Sequence, residues 1–264
     1  MSVPLALGFA LHHDHVLADD PSPLEALIVA LCAELPADQL RNFFVPDGTQ
    51  KAAPPSAFDR WKLIERVRSG GTWLASVQSA PGTADHAQIE ISAGTVGADR
   101  ASRSLTKCRY AVWGALGAEP LHHIRAQRAV DAIVAFADAV AVRAGVMHWA
   151  TTTVYASCLS AGANSSQLSR DENRHVTDLM YWQPRWGLVI RGPQWGTFLG
   201  VEHVRTLGGI EKIIAESRCA RVVPLASGGA FLQATPLERP IVEGSASDEL
   251  ARIAAYLAPV TGQR

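Results

Sequence analysis

The chain holds 264 residues, 48% of them apolar and 19% charged, a size that buries about 70–75% of the unfolded surface and folds without disulfide or metal staples. Its 24 basic and 25 acidic side chains leave a formal charge of −1, which excludes the whole-molecule positive field of non-specific nucleic-acid binders. Four widely spaced cysteines without a C-x-x-C pair exclude a secreted disulfide scaffold and point to reduced thiols. The apolar opening has no Lys or Arg to begin a signal peptide, and no apolar run reaches about 18 residues, so a cytoplasmic protein with no membrane association is expected.

Residues 5–10 read as a short buried strand. Ser22-Pro-Leu-Glu25 then supplies a capping box, with Pro in the first turn of a helix that carries Leu24, Leu27, Ile28 and Leu31 on one side. From Leu35 to Pro55 five Pro and Gly residues break the text, which predicts a long surface excursion. Ser56-Ala-Phe-Asp59 opens a second helix with Phe58, Trp61, Ile64 and Val67 on its inner face, stopped by Gly70-Gly71. The period then changes to two around Trp73–Val77, Ile89–Ile91 and Tyr110–Trp113, the pattern of an antiparallel meander. The longest helix is predicted over about 123–145, with Ala126, Val130, Ile133, Ala137 and Val140 as its stripe.

Trp149–Tyr155 is β-branched and reads as a strand, followed by a polar loop or frayed helix over 161–174. Strands are predicted at 187–191, 195–199, 220–225 and 230–234, with a short helix near 209–217 and a C-terminal helix over Ser247–Leu257. Because strands cluster instead of alternating one-to-one with helices, the expected class is α+β, a mixed and mainly antiparallel sheet with amphipathic helices packed on it. Residues 1–264 read as one domain, open to division into two similar α+β halves, about 1–145 and 146–264, each ending as strands followed by an amphipathic helix.

Motifs for phosphate or acyl chemistry do not occur: G-x-x-x-x-G-K-[ST], a strand-bound G-x-G-x-x-G and G-x-S-x-G are all missing, and Ser160 and Ser227 fall in plain loop text. The dense group of ligand types is His12-His13-Asp14-His15, where imidazole and carboxylate would meet a divalent ion in a metal-dependent hydrolase. Adjacent strand residues point to opposite faces and no spaced partner completes the shell, so a solvated loop after a buried strand is the favoured reading, with no metal or cofactor. Residues 1–40 contain Asp14, Asp19, Asp20, Glu25, Glu34 and Asp38 and no Lys or Arg, a local charge of −6. Such a face steers a basic partner, although an ordinary solvated face is the plainer account of a charge cluster taken alone. Of seven tryptophans, Trp149, Trp182, Trp186 and Trp195 crowd together, and large aromatics in a chain of this size are more often core than interface anchors.

The segments Pro184-Arg-Trp-Gly-Leu188, Gly192-Pro-Gln-Trp-Gly-Thr-Phe-Leu-Gly200 and Glu202-His-Val-Arg-Thr-Leu-Gly-Gly-Ile-Glu-Lys212 resemble the C-terminal signature of the immunity protein 52 family of bacterial polymorphic-toxin systems, which is similar to the wider type VI immunity family. The likeness spans roughly residues 180–260. It implies an α+β protein, not an enzyme, that binds and neutralises a cognate toxin, often a nuclease. The matching residues Arg185, Trp186, Gly187, Trp195, Leu199, Gly208 and Gly209 are implied to be scaffold. The toxin-facing surface is expected instead in the acidic segment, with Asp14, Asp19, Asp20 and Glu25 contributing, because an inhibitor needs only shape and charge complementarity over about 800 Å².

Overall fold

All eight residues of strand β1 (Ala6–His13) are buried, as expected of a central strand covered on both faces, whose near-continuous apolar text leaves no polar side to alternate with. The computed structural model describes residues 5–32, 38, 40–46, 54–69, 72–79, 89–95, 110–117, 125–161, 165–180, 190 and 192–261. Around β1 the chain builds a ten-stranded sheet from β2 (Leu40–Pro46), β3 (Ser56–Ala57), β4 (Thr72–Ser79), β5 (Ile89–Thr95), β6 (Tyr110–Leu116), β7 (Ala144–Ala150), β8 (Gly196–Leu199), β9 (Arg221–Pro224) and β10 (Ala230–Gln233). The spatial order is β3-β2-β4-β5-β6-β1-β7-β8-β10-β9. Every ladder is antiparallel, and the parallel contacts are isolated bridges, Trp149 with Val242 and Ile190 with Thr261. The class is α+β, as the clustering of strands predicts.

Helices α1 (Ser22–Cys32), α2 (Arg60–Ser69) and α3 (Ala126–Ala139) share one large core with one face of the sheet, joined by Phe9 and Leu11 of β1, Val112 of β6, Leu24 and Leu31 of α1, and Ile133 of α3. Across the other face, α4 (Thr153–Ala161) lies on β1 and β6 with α5 (Arg170–Met180) beside it. That close approach needs a strand residue without a side chain. A Cβ on Gly8 would overlap Nε2 of His148 and stand 2.9 Å from the Ala156 carbonyl oxygen. The remaining helices, α6 (Val201–Thr206), α7 (Ile210–Glu216) and α8 (Asp248–Leu257), close a second core over β8 and β10 with Leu199, Leu232, Ile253 and Leu257. The turn Leu207-Gly-Gly-Ile210 joins α6 to α7, with Gly208 at φ 92° and Gly209 at φ 96°, positions that a β-carbon would strain.

Several local expectations change. The excursion over 35–55 contains β2, paired with β3 and β4, and Pro46 is tolerated because the register shifts between Val45 and Pro46 at the strand's end. The long helix stops at Ala139, and Ala144–Ala150 becomes β7 against β1. Of the β-branched run Trp149–Tyr155, Trp149 and Ala150 end β7 as strand residues, whereas Thr153–Tyr155 open helix α4, since the Thr152 hydroxyl accepts the Tyr155 amide at 3.1 Å and caps the first turn. The polar stretch leads into α5 through a reciprocal capping box: Ser169 Oγ accepts the Glu172 amide at 3.2 Å, and Glu172 Oε2 accepts the Ser169 amide at 2.8 Å. Ser160, expected in a loop, is a buried residue of α4.

Candidate functional site

The acidic segment lies between the buried end of β1 and the start of α1. Asp14, Asp19 and Asp20 are exposed, while Glu25 is half-buried on the first turn of α1. Three of the four have local duties. Asp14 Oδ2 faces Nε of Arg143 at 3.5 Å, and Glu25 Oε1 faces Nε of Arg60 at 3.6 Å. Asp20 Oδ1 accepts both the Ser22 hydroxyl, at 2.6 Å, and the Ser22 amide, at 3.1 Å, and these two donors hold its carboxyl below the usual value. The expected capping box at Ser22 is therefore corrected: the helix start is organised by Asp20, and the Ser22 hydroxyl is its donor. Helix α2 packs beside α1 and carries Arg60, Lys62, Arg66 and Arg68 with the single acid Glu65. The surface is thus two-signed, an acidic loop adjoining a basic helix.

The His12-to-His15 group does not converge. His12 faces Ala111 and Ala144 on the side of the sheet that α4 occupies, whereas His13 turns its ring edge to Phe136 of α3, with centroids 6.0 Å apart. His13 Nδ1 donates to the His15 carbonyl at 3.1 Å, and His15 Nε2 donates to the Asp20 carbonyl at 2.8 Å. Desolvation, reinforced by the neighbouring imidazole, pushes His12 down to about 3, and the same causes push His13 to about 4. Both rings are neutral at pH 7. Among the described residues no three His, Cys, Asp or Glu side chains gather to hold a metal ion.

Sequence periodicity placed Trp61 on the inner face of its helix; the structure places it outside. Leu63 and Ile64 take the buried positions of α2, and Trp61 is 64% exposed. Its first turn is fixed by Asp59, whose Oδ1 accepts the Trp61 and Lys62 amides at 2.9 and 3.2 Å, and whose carbonyl accepts Nδ2 of Asn42 from β2 at 2.8 Å. The Arg60 guanidinium lies 4.8 Å from the indole centroid. Two further polar pairs join residues far apart in sequence. His175 Nε2 donates to Glu243 Oε1 at 2.8 Å, beside the ring of Tyr155. Ser160 Oγ lies 3.4 Å from Nε2 of His148 and donates to the Ala156 carbonyl at 2.8 Å; both side chains are buried, and the contact joins α4 to β7 of the sheet.

The described residues of the signature are scaffold positions of the sheet and of one turn. Trp195 is buried edge-on to Trp149, with centroids 5.6 Å apart, and Leu199 is buried on β8. Gly208 and Gly209 form the α6–α7 turn, while Arg185, Trp186 and Gly187 lie outside the described residues. The described cysteines Cys32, Cys158 and Cys219 are not joined in disulfides, and burial pushes the Cys32 thiol up to about 12. No described helix is long and apolar enough to cross a membrane.

No family model matches the chain, and no curated protein matches it. Among solved structures, the chain is similar in fold to the Pseudomonas aeruginosa T6SS protein PA0821, with a TM-score of 0.63 and 12% identity, over 97% of this chain and 73% of that one.

Proposed function

We propose that this chain is a cytoplasmic immunity protein of a bacterial toxin system of the type VI or related contact-dependent kind, and that it neutralises a cognate toxin, a nuclease, by steric and electrostatic blockade. The observation that carries the reading is the likeness in fold to a T6SS protein over 97% of the chain. The resemblance of residues 180–260 to immunity signatures points the same way. No bond is made or broken by this chain's own residues, and it needs no cofactor. A nuclease presents cations to the phosphate backbone, and carboxylates on an inhibitor occupy that site as phosphate would. Asp19 and Asp20 are the exposed acids of this loop on which the reading leans, because Asp14 and Glu25 face Arg143 and Arg60.

The test is co-expression with the gene adjacent to that of this chain. The expected outcome is survival of the cell and co-purification of the two proteins; unrelieved toxicity overturns the reading. Substituting Asp19→Lys and Asp20→Asn together is expected to slow association about tenfold at low salt and flatten its salt dependence, read by stopped-flow mixing with an inactivated toxin.

A further inference from the structure

Four large apolar side chains stand out as exposed among the described residues, and Trp61, at 64%, exceeds Ile214, Val201 and Val29. Leaving an indole in water forgoes a large burial gain, and free tryptophan on a surface is the residue type that most often dominates a protein interface. Trp61 is also held ready. Arg60 stacks on the ring at 4.8 Å, Glu25 of the neighbouring helix faces Arg60 at 3.6 Å, and Asp59 caps the turn beneath. A side chain fixed before binding loses little entropy on docking.

The charge around it is ordered. Lys62, Arg66 and Arg68 follow Trp61 along α2 with the single acid Glu65 one turn from the indole, while Asp19 and Asp20 lie on the loop before α1, and Arg68 is near enough to Asp20 to lower its carboxyl. Glu25 and Arg60 form the seam between the two signs.

We propose that Trp61 anchors the toxin-binding surface, inserting into an apolar recess of the toxin that is rimmed by carboxylates towards α2 and by cations towards the loop of Asp19 and Asp20. The proposal rests on the immunity reading and adds the anchor and the partner's charge pattern to it. A partner of one sign would be repelled by half of this surface, so the two-signed arrangement also rejects toxins with the opposite layout.

The experiment is titration calorimetry with the catalytically inactivated product of the adjacent gene, using the full chain and its Trp61→Ala, Trp61→Phe and Lys62→Glu/Arg68→Glu variants, each checked for an unchanged Tm. The expected result is binding weakened 100-fold or more by Trp61→Ala, less than tenfold by Trp61→Phe, and at least tenfold by the double charge reversal. Tight binding by the native chain that Trp61→Ala leaves within threefold overturns the anchor while the immunity reading stands. No binding and no protection by the native chain overturns the immunity reading itself. A native dimer that Trp61→Ala converts to monomer makes a second copy the occupant and overturns the proposal.

Discussion

Trp195 and Trp61 are the same residue in opposite circumstances. Trp195 is buried against Trp149, between the sheet and the segment after β10, where its whole ring exchanges water for packed neighbours. Trp61 is mostly in solvent, with its contact to Arg60 on one side. The difference teaches that this fold separates the work of holding its shape from the surface proposed to recognise a partner. Apolar area is spent inside around β1, β7 and β8, while one indole and a two-signed set of charges are displayed on α1 and α2.

The separation breaks first if the buried region proves dispensable. Trp195→Ala removes a fully enclosed ring and leaves a cavity, so an expected loss of about 3–5 kcal/mol is to be read by urea denaturation. A loss below about 1 kcal/mol would mean that the surrounding strands close the gap and that the core is less tightly determined than its burial implies.

The next test is acid. His12 and His13 have folded values of about 3 and about 4 against 6.5 when free. Between those values the unfolded chain binds more protons than the folded one, so stability rises with pH and is lost as pH falls below 6.5. Each imidazole contributes about 1.4 kcal/mol per pH unit in that window, or roughly 3 kcal/mol together by pH 5.5. Thermal melts are expected to show Tm falling by about 6–12 °C between pH 7 and pH 5.5. His13→Gln should flatten the slope. A Tm indifferent to pH over this range would show that the rings are hydrated in solution.

How much of this contrast was legible in the sequence depends on how local its cause is. The start of β1, the meander of β4, β5 and β6, and the C-terminal helix from Ser247 follow from periodicity within a few residues; that the Ser247 hydroxyl accepts the Leu250 amide at 3.2 Å is added by the structure. Only the end of β7, at Trp149 and Ala150, is legible as strand; its start is masked because Val140 continues the helical stripe of α3 into a segment whose pairing with β1 is decided far away. The capping box of Ser169 and Glu172 was present in the text and overlooked. Trp61 was misplaced because Leu63 and Ile64 satisfy the inner face of α2 as well as the alternative stripe does. Nothing local pairs His175 with Glu243, 68 positions apart.

A smaller effect probes the seam between sheet and helix. Gly8→Ala is expected to cost about 1–3 kcal/mol, since the added carbon would meet His148, the Ser160 hydroxyl and the Ala156 carbonyl at once. Comparing it with Gly8→Ala in a Ser160→Ala background separates the hydroxyl clash from those with the His148 ring and the Ala156 carbonyl. Smaller again is Asp138→Asn. Partial burial pushes that carboxyl up, yet the amides of Ser227 and Ala226, at 2.8 and 3.1 Å, outweigh it and hold it below its usual value. Neutralising the acceptor is expected to cost about 1 kcal/mol and to speed amide exchange at the β9–β10 turn, which Asp138 ties to α3.

The smallest expected change in stability is at Trp61. Truncation to Ala forfeits a cation–π contact in solvent and little else, so it should shift the unfolding free energy by no more than about 1 kcal/mol, against the several expected for Trp195. If Trp61→Ala instead melts with Trp195→Ala, the indole is part of the fold and its exposure has no functional meaning. If it leaves the melt unchanged while removing affinity, two tryptophans of equal size have been assigned to two different tasks by their surroundings alone. The sharpest form of the measurement is the double variant. Residues that act on separate processes add in stability within about 0.5 kcal/mol, so Trp61→Ala on top of Trp195→Ala should change the melt by no more than Trp61→Ala does alone, and any excess would expose coupling between α2 and the core that carries Trp195.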